Sequence, residues 1–302
     1  MSDNTGLLRG RLGLASSRMP HADRHGLLWL ERGTLSVEEG TLRFIAVESE
    51  TLKAGDYAIP YQSVSMILLG PGTSITHDVF RLCARHGTLL AAVGEGGVKC
   101  YTAPPIGQGR SEVARIHAER WANAKQRMET ARRLYEWRFG CAPSVNDLDS
   151  LRGMEGARIK ESYRLLAMRY RIDWTGRRYD RDRPEAADLP NQAINHAATF
   201  MEAAADIAVA VTGALPPLGF VHEDSSSAFT LDIADLWRVS ITIPLAFASV
   251  KEFQKDMTDG LERIVRRLAA RRFRREKIIP CMIDRIKELF GINDGRSDAQ
   301  CF

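Results

Sequence analysis

Apolar and polar positions follow two different periods along this chain. Up to about residue 103 the apolar residues come in short runs cut by turn residues, which is the pattern of strands. "GLLWLERGTLSVEEGTLRFIAV" holds two such runs around a turn at Glu38, Glu39 and Gly40, and "DYAIPYQSVSMILLG" adds an apolar, β-branched run that ends at Gly70. One short helix is expected in "SITHDVFRLCARHG", with Ser74 or Thr76 as N-cap and Gly87 as its stop, followed by the strand "TLLAAVG".

"TAPPIGQGR" breaks both periods with proline and glycine and reads as a linker at residues 104–110. Beyond it the spacing is helical. "SEVARIHAERWANAKQRMETARRLYEWRFG" places Val113, Ile116, Trp121, Ala124, Met128, Ala131, Leu134 and Tyr135 near one face of a single long helix closed by Gly140. Further helices are expected in "GARIKESYRLLAMRYR", in "NQAINHAATFMEAAADIAVAVTG" with Gly213 as stop, in "DIADLWRVSITIPLAFASV", in the basic stretch after residue 260 and in a last segment ending near Leu289. The expected fold class is α+β, with a β-rich domain over residues 1–103, a linker at 104–110 and a larger all-helical domain over 111–302.

At 302 residues and 44% hydrophobic composition the chain can bury a sizeable core. No unbroken apolar run of about 18 residues is present, and the first residues lack the apolar stretch of a secretory signal, so a cytoplasmic protein without a membrane partner is expected. The five cysteines are far apart and form no C-x-x-C pair, which argues against a zinc or redox dithiol site. Net charge is only +4, yet basic residues crowd residues 110–183 and again 263–277, a distribution suited to a polyanion.

Two stretches carry candidate chemistry. In "SLRGMEGARIKESYRLLA" Glu155 stands between Gly153 and Gly156 at the expected start of a helix, where a carboxylate is favoured by the helix dipole and glycines permit close approach. In "LGFVHEDSSSAFTLDIADLWR" His222 ends an apolar run, and the i,i+3 spacing of Asp232 and Asp235 puts two carboxylates on one helical face. Like charges that converge call for a cation, and imidazole with carboxylates and no thiolate suits Mg²⁺ or Mn²⁺. Spacing alone leaves a second reading open: Glu155 and Asp232 as helix caps, Asp235 as a first-turn acid, and His222 as a core histidine.

"LRGMEGARIKESY", "WTGRRYD", "GFVH" and "LDIADLWR", in this order and at these separations, resemble the CRISPR-associated spacer-acquisition integrase, the first of the Cas proteins, in its type I-E branch. "LLGPGTSITHDVFRLCARHGTLLAAVGEGGVKCY" adds to the likeness, which runs from about residue 10 to 290. The resemblance implies a β-rich domain joined to a helical one and a metal site on Glu155, His222 and Asp235, with Asp232 a further acid beside it. It implies a catalytic group of Glu155, His222, Asp232 and Asp235 that joins the 3′ hydroxyl of a captured duplex to a CRISPR repeat by transesterification, and cleaves DNA when water replaces the hydroxyl. It further implies a homodimer bound to the small second protein of CRISPR adaptation. Arg32 stands where the resembling proteins often carry an aromatic that braces the duplex end, so bracing would fall to Trp29 or to an arginine.

An enzyme of this kind holds phosphates along a path longer than its active site. Candidate contacts are Arg81 and Lys99, Arg152 and Arg158 around Glu155, Arg177 and Arg178 beside Tyr179, and Arg267, Arg271 and Arg272 in "RRLAARRFRREK". Two other functions fit the same composition: a nucleic-acid-binding scaffold whose acids are structural, and a stand-alone metal-dependent nuclease acting on branched DNA in repair.

Overall fold

The computed structural model describes residues 27–49, 52–102, 111–178 and 187–292. The expected linker at 104–110, Tyr179 and the C-terminal tail beyond 292 lie outside the described residues. Two compact units separate, one taking the chain to Ala92 and again from Thr102, the other taking Val93–Tyr101 and the chain from Glu112 onward. Val93–Tyr101 thus goes with the helical unit, whereas the expected β-rich domain ran through residue 103 to a linker at 104–110. Val93 and Val98 are buried, Val93 pairs with Cys100 in an isolated bridge, and the turn Glu95–Gly97 packs on a helix of the second unit.

The first unit is the expected β-rich one. Strands β1 (Leu27–Leu30), β5 (Met66–Leu69) and β7 (Leu89–Ala92) form a parallel sheet in the order β1-β5-β7. Strands β2 (Gly33–Glu38), β3 (Thr41–Ala46), β4 (Gly55–Ile59) and β6 (Thr73–Ile75) form a second sheet in the order β4-β3-β2-β6. The turn between β2 and β3 is Glu39 and Gly40, both at positive φ, the twist that matches a two-residue hairpin. Strand β3 alternates as a half-buried strand must, with Leu42, Phe44 and Ala46 inward and Ile45 outward. Helix α1 (His77–His86) starts after Thr76 without a side-chain cap and stops at Gly87, whose φ of 70° is the left-handed stop expected of glycine.

The second unit is helical: α2 (Glu112–Ala122), α3 (Ala124–Phe139), α4 (Leu148–Tyr170), α5 (Leu189–Thr212), α6 (Ala228–Ala234), α7 (Ile243–Lys255), α8 (Leu261–Arg275) and α9 (Ile278–Phe290). The single long helix expected after the linker is two. Asn123 leaves the helical backbone and accepts the Gln126 N–H through Oδ1, so it ends α2 and caps α3. Helix α5 is the centre of the unit and packs against α6, α7, α8 and α9. Its buried face is largely alanine, with Ala193, Ala197, Ala204, Ala205 and Ala208 letting neighbours approach closely.

Between α6 and α7 the chain winds through a 3₁₀ turn (Asp235–Trp237) and a π turn (Arg238–Thr242). Pro244 is the physical cause. It has no N–H to give the Ser240 carbonyl, its ring would crowd that carbonyl in an α-helix, and the Arg272 guanidinium takes the freed oxygen at 3.0 Å. The whole stretch Ala228–Lys255 is long and apolar enough to cross a membrane by length and composition, and 61% of its most apolar window is buried inside the protein, as in a core helix.

Candidate active site

His222 sits on the loop between α5 and α6, and the loop is tied down at nearly every residue. The N–H of Leu215 donates to Nδ1 of His117 at 3.2 Å, and Nε2 of His117 lies 2.7 Å from the Leu218 carbonyl. His117 is fully buried among Phe220, Phe229 and Phe290. Burial pushes its pKa down to about 4, against smaller opposing effects of the Leu218 carbonyl and Asp232, so the ring is neutral with its proton on Nε2. The Trp121 indole donates to the Gly219 carbonyl at 3.0 Å and Arg152 to the Val221 carbonyl at 2.6 Å. Gly219 has no room for a side chain, because a Cβ there would stand 2.1 Å from the His222 carbonyl oxygen.

Asp232 is the keystone of this loop. Its Oδ2 accepts the N–H groups of Phe220 at 2.6 Å and Val221 at 3.1 Å, and its Oδ1 accepts the His222 N–H at 3.0 Å and Nδ1 of the same histidine at 2.7 Å. The carboxylate is wholly buried. With four hydrogen bonds it has little capacity left for an ion, and it stands inside α6 rather than at a cap. The bond to Oδ1 engages Nδ1 as donor and turns Nε2 toward Asp235 Oδ2, 3.6 Å away.

Asp235 opens the 3₁₀ turn after α6, and its carboxylate is 14% exposed. Arg238 Nη1 lies 3.4 Å from its Oδ1. Glu155 comes from α4, and its position corrects the sequence reading: the helix begins at Leu148 behind an Asp147 cap that accepts the Ser150 N–H, so Glu155 lies in the helix interior, away from the dipole's positive end. Gly153 and Gly156 beside it face open space.

A residue that the spacing did not reveal joins these acids. Arg138, in the last turn of α3, has a side chain only 4% exposed and puts Nη1 at 2.8 Å from Glu155 Oε1 and 3.8 Å from Asp235 Oδ2. Its Nη2 donates to the Asp232 carbonyl at 3.1 Å, and its plane lies over the Tyr135 ring. In "YEWRFG" it looks like any base near a helix C-terminus, so no sequence signal marked it. Burial opposes its charge, while Asp235, Glu155 and Asp232 together carry its pKa above the ordinary value. Glu202 and Asp206 on α5 were also missed, and burial raises both; Asp235 and then Asp206 add to it for Glu202, whereas the Thr230 hydroxyl partly offsets it for Asp206.

Hard carboxylate oxygens with one imidazole nitrogen are the donor chemistry of Mg²⁺ or Mn²⁺, and Glu155, His222 and Asp235 offer it. Among the described residues no three such groups stand close enough together to hold an ion as they are. The Arg138 guanidinium instead approaches both Glu155 and Asp235 with one nitrogen.

Several expected phosphate contacts spend their charge inside the protein. Arg152 holds the Val221 carbonyl, and Arg158 holds the Phe139 carbonyl and lies over the Phe139 ring. Arg177 is bound by Asn191, Asn195 and the Arg178 carbonyl. Arg267 bridges Glu252 and Asp259, and Arg272 bonds Glu276 and the Ser240 carbonyl. Lys99 lies 4.0 Å from Glu262, and Arg81 pairs with Asp78 on an exposed face of α1. Arg178 and Arg271 are exposed, and among the described residues neither guanidinium has an ion pair.

The sequence model of the family described as "CRISPR associated protein Cas1" matches residues 139–263, which span Glu155, His222, Asp232 and Asp235. A CRISPR-associated endonuclease Cas1 of Rhodospirillum rubrum is 34% identical over 270 residues, 88% of this chain and 85% of that protein. The chain belongs to the Cas1 family. The Cas1 endonuclease of Escherichia coli is 32% identical over 91% of this chain and 88% of its own length. Among solved structures, TtCas1 in complex with DNA superposes with a TM-score of 0.78 at 31% identity, covering 89% of this chain and 97% of that one. A casposase bound to its integration product has the same fold at a TM-score of 0.61 and 14% identity, a likeness of fold alone.

Proposed function

We propose that this chain is a metal-dependent DNA integrase and endonuclease of CRISPR adaptation, in the type I-E branch of its family. The observation that carries the reading is the one-sided imidazole: Asp232 engages Nδ1 of His222 as donor and turns Nε2 toward Asp235. A core histidine has no need of a buried carboxylate that turns its other nitrogen toward a second acid.

Glu155, His222 and Asp235 would hold Mg²⁺ or Mn²⁺, and the ion when bound polarises a phosphoryl oxygen and offsets charge in the transition state. Asp232 positions the histidine and the loop from Phe220 to His222. The substrate is duplex DNA, whose 3′ hydroxyl is joined to a phosphodiester at the edge of a CRISPR repeat, with water giving cleavage instead. A DNA complex of a structural relative supports this substrate class. The working assembly is a homodimer with the small second protein of CRISPR adaptation.

The test is half-site integration of a labelled duplex into a repeat-containing plasmid, with and without Mn²⁺ and the small partner. Wild type joins strands only with the metal, and His222→Ala or Asp235→Ala abolishes joining while duplex binding persists. Full joining by either variant would falsify the assignment.

A further inference from the structure

We infer that Arg138 is the internal counter-cation of this site, and that a divalent ion must compete with it for Glu155. The first half stands on the geometry of Arg138 and the acids around it; the second rests on the metal reading above.

Two carboxylates, Glu155 from α4 and Asp235 from the turn that follows α6, converge on Arg138, while the Asp232 carboxylate is turned into the loop from Phe220 to His222. Without a cation between them they would repel across a poorly hydrated space. Arg138 supplies it, with one nitrogen shared by Glu155 and Asp235 and another on the Asp232 carbonyl. An arginine at a helix end could act only on its own helix dipole, but such a residue keeps its head in water. This one is buried, its Nε has no partner among the described residues, and its two terminal nitrogens reach α4, α6 and the turn after α6. Burying a guanidinium is costly unless anions compensate it, so the guanidinium and the acids hold one another in place.

The same geometry makes it a competitor. Glu155 gives Oε1 to Arg138 at 2.8 Å, and the same Nη1 lies 3.8 Å from Asp235 Oδ2, so an ion that used both acids would have to share them with Arg138. For binding, Nη1 has to yield that oxygen, and the ion feels a fixed positive charge nearby. Arg138 is therefore a positioning residue that keeps the ligand set assembled without metal and lowers its affinity for metal.

The experiment compares wild type, Arg138→Gln and Arg138→Lys by thermal melting in EDTA and in Mn²⁺, with Mn²⁺ affinity read from the electron paramagnetic resonance of the free ion. In EDTA, Arg138→Gln is expected to melt roughly 5–15 °C lower, as for a broken buried pair. Mn²⁺ should raise its melting temperature more than that of wild type and bind at least about tenfold tighter, because a neighbouring charge is gone. Arg138→Lys should keep the wild-type affinity and melt between the two. A residue with only a structural role would give equal or weaker Mn²⁺ binding on removal, and that result, or an unchanged EDTA melt, overturns the inference.

If Arg138→Gln does not fold, Glu155→Gln decides. Loss of one acid from Arg138 should lower the EDTA melt, whereas an acid that merely repels its neighbours would raise it on removal. If Mn²⁺ affects no chain, the metal reading fails by itself, and the EDTA melts alone decide whether Arg138 is the counter-cation.

Discussion

Asp232 Oδ1 and His222 Nδ1 stand 2.7 Å apart, and the same carboxylate collects the N–H groups of three consecutive residues. Asp232→Asn keeps the volume but sets an amide donor against backbone donors. We expect it to lose about 2–4 kcal/mol of stability, the scale of charged hydrogen bonds broken in a buried place, and to lower strand joining with it. Urea unfolding of the variant checks this, and unchanged stability would contradict the keystone role.

Gly219→Ala probes the same loop from the backbone side. The added methyl would meet the His222 carbonyl at 2.1 Å and the Ala228 side chain at 2.7 Å. The chain has to shift His222 to admit it, so overpacking of about 1–3 kcal/mol and a loss of joining are expected together. A crystal structure of the variant with His222 in its original place would refute this.

Gly153→Ala and Gly156→Ala should act in opposite directions on stability and activity. Both positions face open space inside α4, where alanine favours a helix by roughly 0.5–1 kcal/mol per site. The melting temperature should rise while joining falls, because duplex DNA would approach the helix here. Equal joining by the double variant would show that the duplex passes elsewhere.

The basic helix α8 offers a pair of substitutions with different readouts. Arg271→Ala should weaken duplex binding and reduce the slope of log affinity against log salt by about 1. Arg267→Ala removes the bridge between Glu252 and Asp259 and should cost about 1 kcal/mol of stability, with little change in that slope. Fluorescence anisotropy across a salt series separates them; a reversed pattern would mean that Arg267 leaves its acids to bind DNA.

His117 predicts a pH dependence. Its folded pKa of about 4 lies below the ordinary 6.5, so between these values the unfolded chain takes up the proton first. Its contribution to stability is complete above about pH 6.5 and falls by roughly 3 kcal/mol as the pH drops to 4. Stability of His117→Phe should fall less steeply over this window, and equal slopes in denaturant titrations would remove His117 from the account.

Elements whose ends require a special backbone were legible in the chain. Glu39 and Gly40, Gly87, Gly140 and Gly213 all mark real turns or stops, because positive φ admits few residue types. The break at Asn123 was not legible, since the apolar spacing of Trp121, Ala124 and Met128 runs in phase across it. The glycines flanking Glu155 suggested a helix start, yet Asp147 caps that helix eight residues before Glu155. The spacing of Asp232 and Asp235 implied one helical face, but Asp232 lies inside α6 with its carboxylate on the loop and Asp235 opens the following turn with its carboxylate toward Arg138. Arg138 stayed invisible because what distinguishes it is burial between elements distant in sequence, and no local pattern encodes that.

The π turn at Arg238–Thr242 carries one more implication. A π turn spends an extra residue per revolution, so it sets the angular phase between Asp232 and Asp235 on one side and the apolar side of α7 on the other. Deleting one residue there would rotate one set by about 100° against the other. Catalytic and packing faces would then compete for the same inward direction. Length in this short segment is thus constrained even where residue identity is free, and insertions or deletions should be tolerated far less between residues 238 and 242 than substitutions are.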